Sequence, residues 1–288
     1  MPSLIDLRRR IRSVKNTEQI TKAMKMVSAA KLRRAQQAVV GARPYAGLLE
    51  DMLGSVLATE GDGETAFSHP LLERRECRTA QVLVLAGEKG LCGSFNSNVF
   101  KAVQGFVDGR PEQRAELELL GRKAVDFYRL RDLAVSGRWE QVLGRVEVAT
   151  AEAVAEKAMQ KFSEGRVDEV WIAYSRFKGV LSQQPVVEQV LPIIAPQGTA
   201  DGGSSYEYEQ PAEQLLGALL PKRVVTQVFL AMLESASAEH AARMTAMDAA
   251  TRNAGEVLDK LTLHLNRVRQ ASITTEIIEI VSGTAAQE

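Results

Sequence analysis

The stretch "LAMLESASAEHAARMTAMDAATRNAGEVLDKLTLHLNRVRQASITT" at residues 230–275 decides the fold, because it keeps a seven-residue frame for more than six repeats. Alternate steps of three and four residues reach fourteen positions, nine of them apolar. This spacing is typical of a helix that pairs with another helix in a coiled coil. The frame consists of Leu230, Leu233, Ser237, His240, Met244, Met247, Thr251, Ala254, Leu258, Leu261, Leu265, Val268, Ser272 and Thr275.

The helix that carries this frame is too long to be buried in one domain. No proline occurs from Lys222 to Ser282, and Gly255 is the only glycine there. These 61 residues would extend roughly 90 Å as a helix, so we expect a second long helix beside them. We interpret His240 as a seam residue, because no second histidine, cysteine or carboxylate is placed to share a metal with it.

The N-terminal region is the only other candidate of comparable length. No proline lies between Ser3 and Arg43, and Gly41 and Pro44 mark a predicted weak point in the helix. The predicted buried face is Leu4, Leu7, Ile11 and Val14 and, after a polar break at Thr17–Glu18, Ile20, Met24, Val27 and Ala30 or Lys31.

Charge is unevenly placed in a chain whose net charge is zero. Residues 1–36 contain ten basic side chains and two acidic ones, a local excess of eight positive charges. Such an asymmetry indicates an anionic partner for this end of the chain, or a solvated helix face. Aromatic residues make up only 5% of the chain, which favours helix packing through Ala, Leu, Val and Met.

The middle of the chain alternates between strand and helix patterns. The segments "AQVLVLAGEKGLCGSFNSNVFKAVQGF" and "AELELLGRKAVDFYRLRDL" each read as a strand followed by a helix. A further helix precedes a strand at Val170–Tyr174, and "QPVVEQVLPI" predicts another strand. Alternation of this kind indicates an α/β domain with a mainly parallel sheet.

A glycine loop follows the first of these strands, with Gly87, Gly90 and Gly93 in the pattern G-x-x-G-x-x-G. This is neither the dinucleotide pattern G-x-G-x-x-G nor a phosphate-binding loop, since Lys89 lacks the G-K-[ST] context. Cys92 has no base beside it in the sequence. We therefore interpret the loop as a tight turn between strand and helix, and leave a nucleotide-using enzyme as the alternative.

Catalytic and metal-binding patterns are missing from the sequence. The two cysteines, Cys77 and Cys92, predict no disulfide framework and favour a reducing compartment. No run of about 18 apolar residues predicts a membrane span. We find no paired carboxylates, Ser/His/Asp arrangement or H-E-x-x-H motif. We therefore expect a protein that is not itself an enzyme, with no cofactor and no metal.

The sequences of three regions resemble those of one known family. The segments "LRRRIRSVKNTEQITKAMKMVSAAKLRRAQ" at 7–36, "GEKGLCGSFNSNV" at 87–99, and "SAEHAARMTAMDAATRNAGEVL" with "LNRVRQASITTEIIEIVSGTAA" near the C-terminus are similar to the gamma subunit of F-type ATP synthases. The resemblance covers nearly the whole chain in order. It departs at Glu88 and Ser94, and the cysteine-containing insert of chloroplast members is absent, which implies a bacterial origin.

The resemblance implies an α/β fold, in which the two terminal helices form a long antiparallel coiled coil and a Rossmann-like domain lies between them. The implied layout is an N-terminal helix at 1–57, a linker at 58–78, the α/β domain at 79–195, a loop at 196–212 and a C-terminal helix at 213–288. The implied function is that of a central rotor shaft, which carries rotation driven by proton flow to three catalytic sites for ATP synthesis, and runs in reverse during hydrolysis.

The resemblance also implies partners and a location. These are three alpha and three beta subunits, the epsilon subunit and a ring of c subunits, at the cytoplasmic face of the cell (inner) membrane. The implied contacts with the beta subunits and their acidic lever segments are Arg8, Arg9, Lys22, Met24, Arg243, Gln270 and Thr274. The implied foot contacts with the c ring are Tyr206 and Glu209. The implied apolar tip, held in a collar, contains Ile277, Ile278, Ile280 and Val281.

A second alternative is a coiled-coil protein that binds nucleic acid through its basic helix. It predicts binding with a steep dependence on salt concentration. Residues 1–36 contain no aromatic residue that would stack on bases.

Overall fold

The computed structural model describes residues 4–60, 69–131, 133–194 and 210–285. Two long helices enclose an α/β segment in the order of the chain. The elements are α1 (Leu4–Glu60), a short 3-10 helix (Pro70–Leu72), β1 (Thr79–Leu85), α2 (Phe95–Asp108), β2 (Arg114–Leu120), α3 (Arg122–Tyr128), β3 (Ala134–Trp139), α4 (Val148–Ser163), β4 (Glu169–Phe177), β5 (Gln183–Leu191) and α5 (Ala212–Ala285). The predicted α/β fold class is confirmed.

The five strands form one sheet in the order β3-β2-β1-β4-β5. All neighbouring pairs are parallel except β4 and β5, which are antiparallel. The central strand β1 is apolar almost throughout and buried from Ala80 to Leu85. A continuous apolar run is expected where helices cover both faces of a parallel sheet.

The edge strand β3 did not appear in the sequence-based prediction, because Gly137 and Arg138 interrupt its apolar character. Gly137 is required by the neighbouring strand. A Cβ atom at this position would lie 1.9 Å from Oε1 of Glu118. The buried Glu118 carboxylate accepts hydrogen bonds from Lys157 Nζ and Trp139 Nε1, both at 2.6 Å. The glycine therefore makes room for a buried ion pair.

The described residues form two compact units, one of residues 29–243 and one of residues 4–28 with 244–285. Both long helices contribute to each unit. The five-part layout predicted from the sequence divides the chain differently and stays a prediction.

In the unit of residues 29–243, one face of the sheet packs against α4 and the parts of α1 and α5 in this unit, and the other against α2 and α3. Arg43 pairs with Glu234 at 3.2 Å and Arg223 with Glu50 at 3.6 Å. Since residue numbers rise along α1 as they fall along α5, the two segments are antiparallel. The predicted weak point at Pro44 does not break α1.

In the unit of residues 4–28 and 244–285, the two helical segments are also antiparallel. The hydroxyl oxygens of Thr21 and Thr251 lie 2.8 Å apart, and Lys25 Nζ lies 2.5 Å from an oxygen of Asp248. Here the predicted seven-residue frame of α5 is confirmed, since its members from Met244 to Ser272 are buried or half-buried. Thr275 is the exception and is exposed.

The predicted buried face of α1 is wrong in its second part. Ile20 and Val27 are 59% and 57% exposed, and Ala30 and Lys31 are exposed as well. The buried or half-buried positions are Glu18, Thr21, Met24, Lys25 and Ser28. Some of their hydrogen bonds lie within α1, where Thr21 Oγ1 donates to the Glu18 carbonyl at 3.0 Å, and others cross to α5. A polar stretch therefore continues the seam, where the sequence suggested a break.

One window of α5, within residues 213–282, is apolar enough by length and composition to cross a membrane, with a mean hydropathy of 1.4. The sequence had predicted no such span. Of this window, 39% is buried against the rest of the chain. Core residues of α5 such as Leu216, Leu220 and Val224 have no exposed surface. Helices of a protein core pass the same test of length and composition.

Gly121 provides a test of the sheet's backbone geometry. Its φ is +97°, and an added Cβ atom would lie 1.9 Å from the carbonyl oxygen of Ala86. We expect Gly121→Ala to lower the free energy of unfolding by about 3 kcal/mol or more, because both the conformation and the space exclude a side chain.

Gly105→Ala is the matched control. Gly105 lies in α2 with nothing near its missing Cβ, so alanine should stabilise the chain by about 0.5–1 kcal/mol. Urea unfolding of both variants measures the difference. Equal stability of the two variants would contradict the backbone geometry described.

Candidate functional site

The predicted glycine loop lies at the carboxyl end of β1 and leads into α2. Its backbone turns through left-handed conformations at Leu91 and Gly93, with φ values of 62° and 58°. The Gly87 N–H donates to Asn96 Oδ1 at 2.8 Å. Since β1 lies between β2 and β4, the loop borders the point where the strand order reverses. Doubly wound sheets bind nucleotides at such a point.

A side chain from α5 reaches into this loop. The guanidinium of Arg243 donates to the carbonyl oxygens of Lys89 at 3.0 Å and Gly90 at 3.2 Å, and to Glu239 Oε1 at 2.5 Å. Arg243 is 8% exposed and Glu239 is 3% exposed. The two form a buried ion pair one helical turn apart. The loop carbonyls take two further donors of the arginine, and its Nη1 lies 3.4 Å from His240 Nδ1.

The crevice beside the loop is filled by the chain itself. A Cβ atom on Gly87 would lie 2.9 Å from the Glu239 carboxyl carbon, so the loop backbone and the α5 side chain are already in contact. Below them, Cys92, Phe95 and Ala238 form a small apolar cluster. The place where a nucleotide would lie in a doubly wound enzyme is therefore occupied by α5. This arrangement favours the interpretation of the loop as a structural turn.

Burial shifts the pKa values of three titratable groups around the loop. Burial raises the pKa of the Cys92 thiol, which keeps it protonated and poorly nucleophilic. Burial also raises the pKa of Glu239, against the opposing charge of Arg243. Burial, with the charges of Arg243 and Lys31, lowers the pKa of His240 to about 4. Within the described ranges, no group of three or more His, Cys, Asp or Glu residues could hold a metal ion.

The basic side chains of α1 form an exposed face in the unit that contains residues 4–28. Arg8, Arg12, Lys15 and Lys22 follow one another at helical spacing beside the buried face, and Arg9 is exposed next to them. Among the residues that the structure describes, none of these five makes an ion pair. Their charge is therefore available to a partner.

Met24 lies beside the buried seam of α1 and is half-buried. The next residue, Lys25, pairs with Asp248 across the helices at 2.5 Å. This ion pair holds the Asp248 pKa below its usual value, chiefly through the hydrogen bond from Lys25. The structure thus places Met24 beside a polar cross-link between the two helices.

The three polar residues that the resemblance groups together lie in different surroundings. Gln270 and Thr274 are exposed one turn apart on α5, where Thr274 Oγ1 donates to the Gln270 carbonyl at 2.9 Å. Arg243 belongs to the unit of residues 29–243 and is buried there. Contact with another subunit stays a prediction for all three.

The predicted tip of α5 presents a strongly apolar surface. Ile277, Ile278, Ile280 and Val281 are 54–67% exposed. They follow Ser272, the last position of the seam that is not exposed. The predicted foot residues, Tyr206 and Glu209, lie outside the described residues.

The sequence reasoning missed three polar contacts between elements. These are Arg243 with the glycine-loop carbonyls, Asp248 with Lys25, and Thr21 with Thr251. The run of small residues "SASAEHAA" at 235–242 was an available signal, because it lets a helix approach its neighbours closely. Nothing in the sequence pattern identified which polar groups would meet.

Comparisons with known proteins agree in sequence and fold. A family model described as ATP synthase matches residues 3–287. The chain is 52% identical over 288 residues to the ATP synthase gamma chain of Solibacter usitatus, covering 100% of both, and 48% identical over 289 residues to that of Anaeromyxobacter sp. (strain Fw109-5), covering 99% of both.

Solved structures show a similar fold at low sequence identity. A chain in the cryo-EM structure of Euglena gracilis mitochondrial ATP synthase (OSCP/F1/c-ring, rotational state 3) has a TM-score of 0.66 and 18% identity, with 99% of this chain and 94% of that chain covered. A chain in the central stalk/c-ring structure from Tetrahymena thermophila has a TM-score of 0.60 and 23% identity, with 80% of this chain and 99% of that chain covered.

The lowered pKa of His240 makes a prediction about acid stability. The unfolded imidazole, with its ordinary pKa of 6.5, binds a proton more readily than the folded one, whose pKa is about 4. Stability is therefore lost as the pH falls from 6.5 towards 4. We expect His240→Gln to remove about 1–3 kcal/mol of that loss. Urea unfolding of the full chain at a series of pH values measures it.

His264→Gln is the matched control, since His264 is exposed on the same helix. Its curve of stability against pH should follow that of the unchanged chain. Parallel curves for the unchanged chain and His240→Gln would show that His240 stays accessible to protons. The raised pKa of Glu239 acts in the opposite direction, but it is common to all three proteins and cancels in the comparison.

Proposed function

This chain belongs to the ATP synthase family, with proteins named ATP synthase gamma chain as its full-length relatives, and we propose that it serves as the central rotating shaft of that complex. Rotation of the c ring, driven by proton flow, turns the shaft. The shaft forces the three beta subunits through different states and so drives ATP synthesis. ATP hydrolysis runs the same coupling backwards.

The antiparallel pairing of α1 and α5 is the observation that carries this proposal. The seam between the helices contains hydroxyl and charged side chains as well as apolar ones. Outside the seam, the exposed face of α1 is basic and the end of α5 carries exposed isoleucines. Such a helix pair is stiff along its length, since every turn is bonded within its own helix. A stiff, asymmetric rod is what transmission of torque requires.

Coupling follows if each beta conformation prefers a different face of this rod. A rotating element changes its neighbours' states only when its contacts differ in free energy from one state to the next. The helix pair meets this condition, because its basic face and its apolar tip differ from the rest of its surface.

The exposed basic face supports contact with acidic lever segments of the beta subunits. Arg8, Arg9 and Lys22 would supply long-range attraction, which tolerates sliding better than short directional bonds do. Met24 lies at the edge of this contact. Gln270, Thr274 and Arg243 are proposed as further points of contact with a catalytic subunit.

The exposed isoleucines at the end of α5 support a bearing. We place Ile277, Ile278, Ile280 and Val281 in an apolar collar formed by the alpha and beta subunits. Apolar contact is non-directional, so the helix can turn in it without breaking specific bonds.

The remaining parts of the proposal concern the foot and the location. Tyr206 and Glu209 would contact the c ring, with the epsilon subunit alongside. The complex would lie at the cytoplasmic face of the cell membrane. We propose no catalytic role for this chain, which is supported by the filled crevice beside the glycine loop.

Purification of a tagged copy tests the proposal directly. We expect one copy of this chain to co-purify with three alpha and three beta subunits, and the complex to hydrolyse MgATP; native mass spectrometry and an ATPase assay measure this. A lone chain, or a chain bound to nucleic acid, while the alpha–beta ring is present and intact, would refute it. Binding of nucleotide by the isolated chain would revive the enzyme alternative.

The basic face makes a separate prediction about assembly. We expect the triple variant Arg8→Gln/Arg9→Gln/Lys22→Gln to associate with the alpha–beta ring about tenfold more slowly at low salt, because steering by charge is lost. Raising the salt concentration should shrink the difference between this variant and the unchanged chain, because the attraction is screened. Stopped-flow association kinetics measure both effects.

The control is Arg78→Gln/Arg145→Gln/Arg166→Gln, which removes equal charge from arginines that are 70–89% exposed in the other unit. It should associate at nearly the unchanged rate. Equal slowing in the two triple variants would mean that net charge matters and the α1 face does not.

A further inference from the structure

The contact between α5 and the glycine loop restricts how α5 can move relative to the sheet. We call it the helix–loop clamp, formed by Glu239 and Arg243 of α5 and by residues 87–93 of the loop. It lies within the single unit of residues 29–243. The Arg243 guanidinium is planar, and it uses two of its nitrogens on the carbonyls of Lys89 and Gly90. Because the fork is rigid, it fixes the orientation of α5 as well as its distance from the loop.

The loop side of the clamp is held firmly by the sheet. The Ala86 N–H donates to the Leu120 carbonyl at 2.9 Å, and the Lys123 N–H donates to the Gly87 carbonyl at 3.0 Å. The Asn96 side chain accepts from Gly87 N–H at 2.8 Å. These bonds join the start of the loop to β2, α2 and α3. Any turning of α5 in this unit would therefore strain the sheet domain itself.

The helix side of the clamp allows close approach. Ser235, Ser237, Ala238 and Ala241 have no exposed surface. Small side chains bring the helix backbone near the loop and leave little room for sliding. Gly87 makes the same accommodation on the loop, where a Cβ atom would press on Glu239.

Burial gives the clamp its strength. Glu239 is 3% exposed, and Arg243 is its charge partner. A buried charge without its partner is strongly unfavourable. Rotation of α5 relative to the loop would carry both side chains away together, and the carbonyls of Lys89 and Gly90 would lose their donor.

We propose that Arg243 and Glu239 are positioning residues that lock α5 to the sheet domain, so that helix and sheet turn as one body and torque reaches the helix without slip. This inference rests on the proposed shaft function. It gives Arg243 a role within the chain, where the family resemblance implied a contact with another subunit. It also gives the glycine loop a structural role, as the acceptor of the Arg243 hydrogen bonds.

The test compares three variants in the assembled synthase in membrane vesicles. Arg243→Met removes the fork and leaves Glu239 unpaired. Arg243→Lys keeps the charge beside Glu239, and so protects the fold, but loses the planar fork. Arg252→Met is the control, because Arg252 lies on the same helix with its side chain 73% exposed.

The first measurement is hydrogen exchange of the backbone amides of residues 88–92. We expect exchange to be about tenfold faster or more in Arg243→Met, as for the loss of a charge-assisted hydrogen bond, with a smaller change in Arg243→Lys. Arg252→Met should match the unchanged complex. Unchanged exchange in both Arg243 variants would overturn the clamp.

The second measurement is the number of protons pumped per ATP hydrolysed, which a purely stabilising contact would not change. We expect this ratio to fall to about half or less in Arg243→Met, and to be partly restored in Arg243→Lys. Faster exchange with an unchanged ratio would overturn the positioning role.

Failure of the shaft proposal would look different. In that case the unchanged chain would not assemble with alpha and beta subunits at all. Hydrogen exchange on the full chain alone would still test the clamp, since every residue of the clamp belongs to this chain.

Discussion

The pairing of two long helices in opposite directions is the constraint on which the rest of this structure depends. In the unit of residues 4–28 and 244–285, neither helix has a wide apolar face, so each needs the other to cover a narrow stripe. That stripe contains Thr21 opposite Thr251 and Lys25 opposite Asp248. Polar pairs at such positions fix register and direction at some cost in stability. A seam of this kind leaves the outer faces of both helices free to carry charge and apolar side chains for partners.

The sheet is built like that of a nucleotide-binding domain but used differently. Its strand order reverses beside β1, and a glycine loop follows that strand, as in doubly wound enzymes. Here α5 enters the crevice, and Arg243 takes the loop carbonyls while Glu239 lies against Gly87. The same architecture that elsewhere opens a binding site is closed by a helix of its own chain. Fold alone does not identify the function of such a crevice, and here side chains of the same chain occupy it.

The buried and the exposed charges of this chain have different surroundings. Buried carboxylates are paired, such as Glu118 of the sheet with the half-buried Lys157 of α4 and Glu239 with Arg243 beside the loop. Five exposed basic side chains of α1, at positions 8, 9, 12, 15 and 22, make no ion pair with any residue that the structure describes. A chain with no net charge can thus carry a strongly basic surface, because most of its acidic side chains lie outside residues 1–36.

The sequence by itself determined that two long helices flank an α/β segment, since seven-residue spacing and alternating strand patterns depend only on local order. It also determined the seam of α5 from Met244 to Ser272, where the frame and the burial agree. Only the tertiary structure determined which polar residues are buried between the helices and which groups they pair with. Ile20 and Val27 look like core residues in a periodic reading, but they are exposed, because hydrogen-bonded Thr21 and its neighbours continue the seam instead. Strand β3 and the contact of Arg243 with the glycine loop join residues far apart in the chain, and such contacts depend on three-dimensional packing that no local pattern contains.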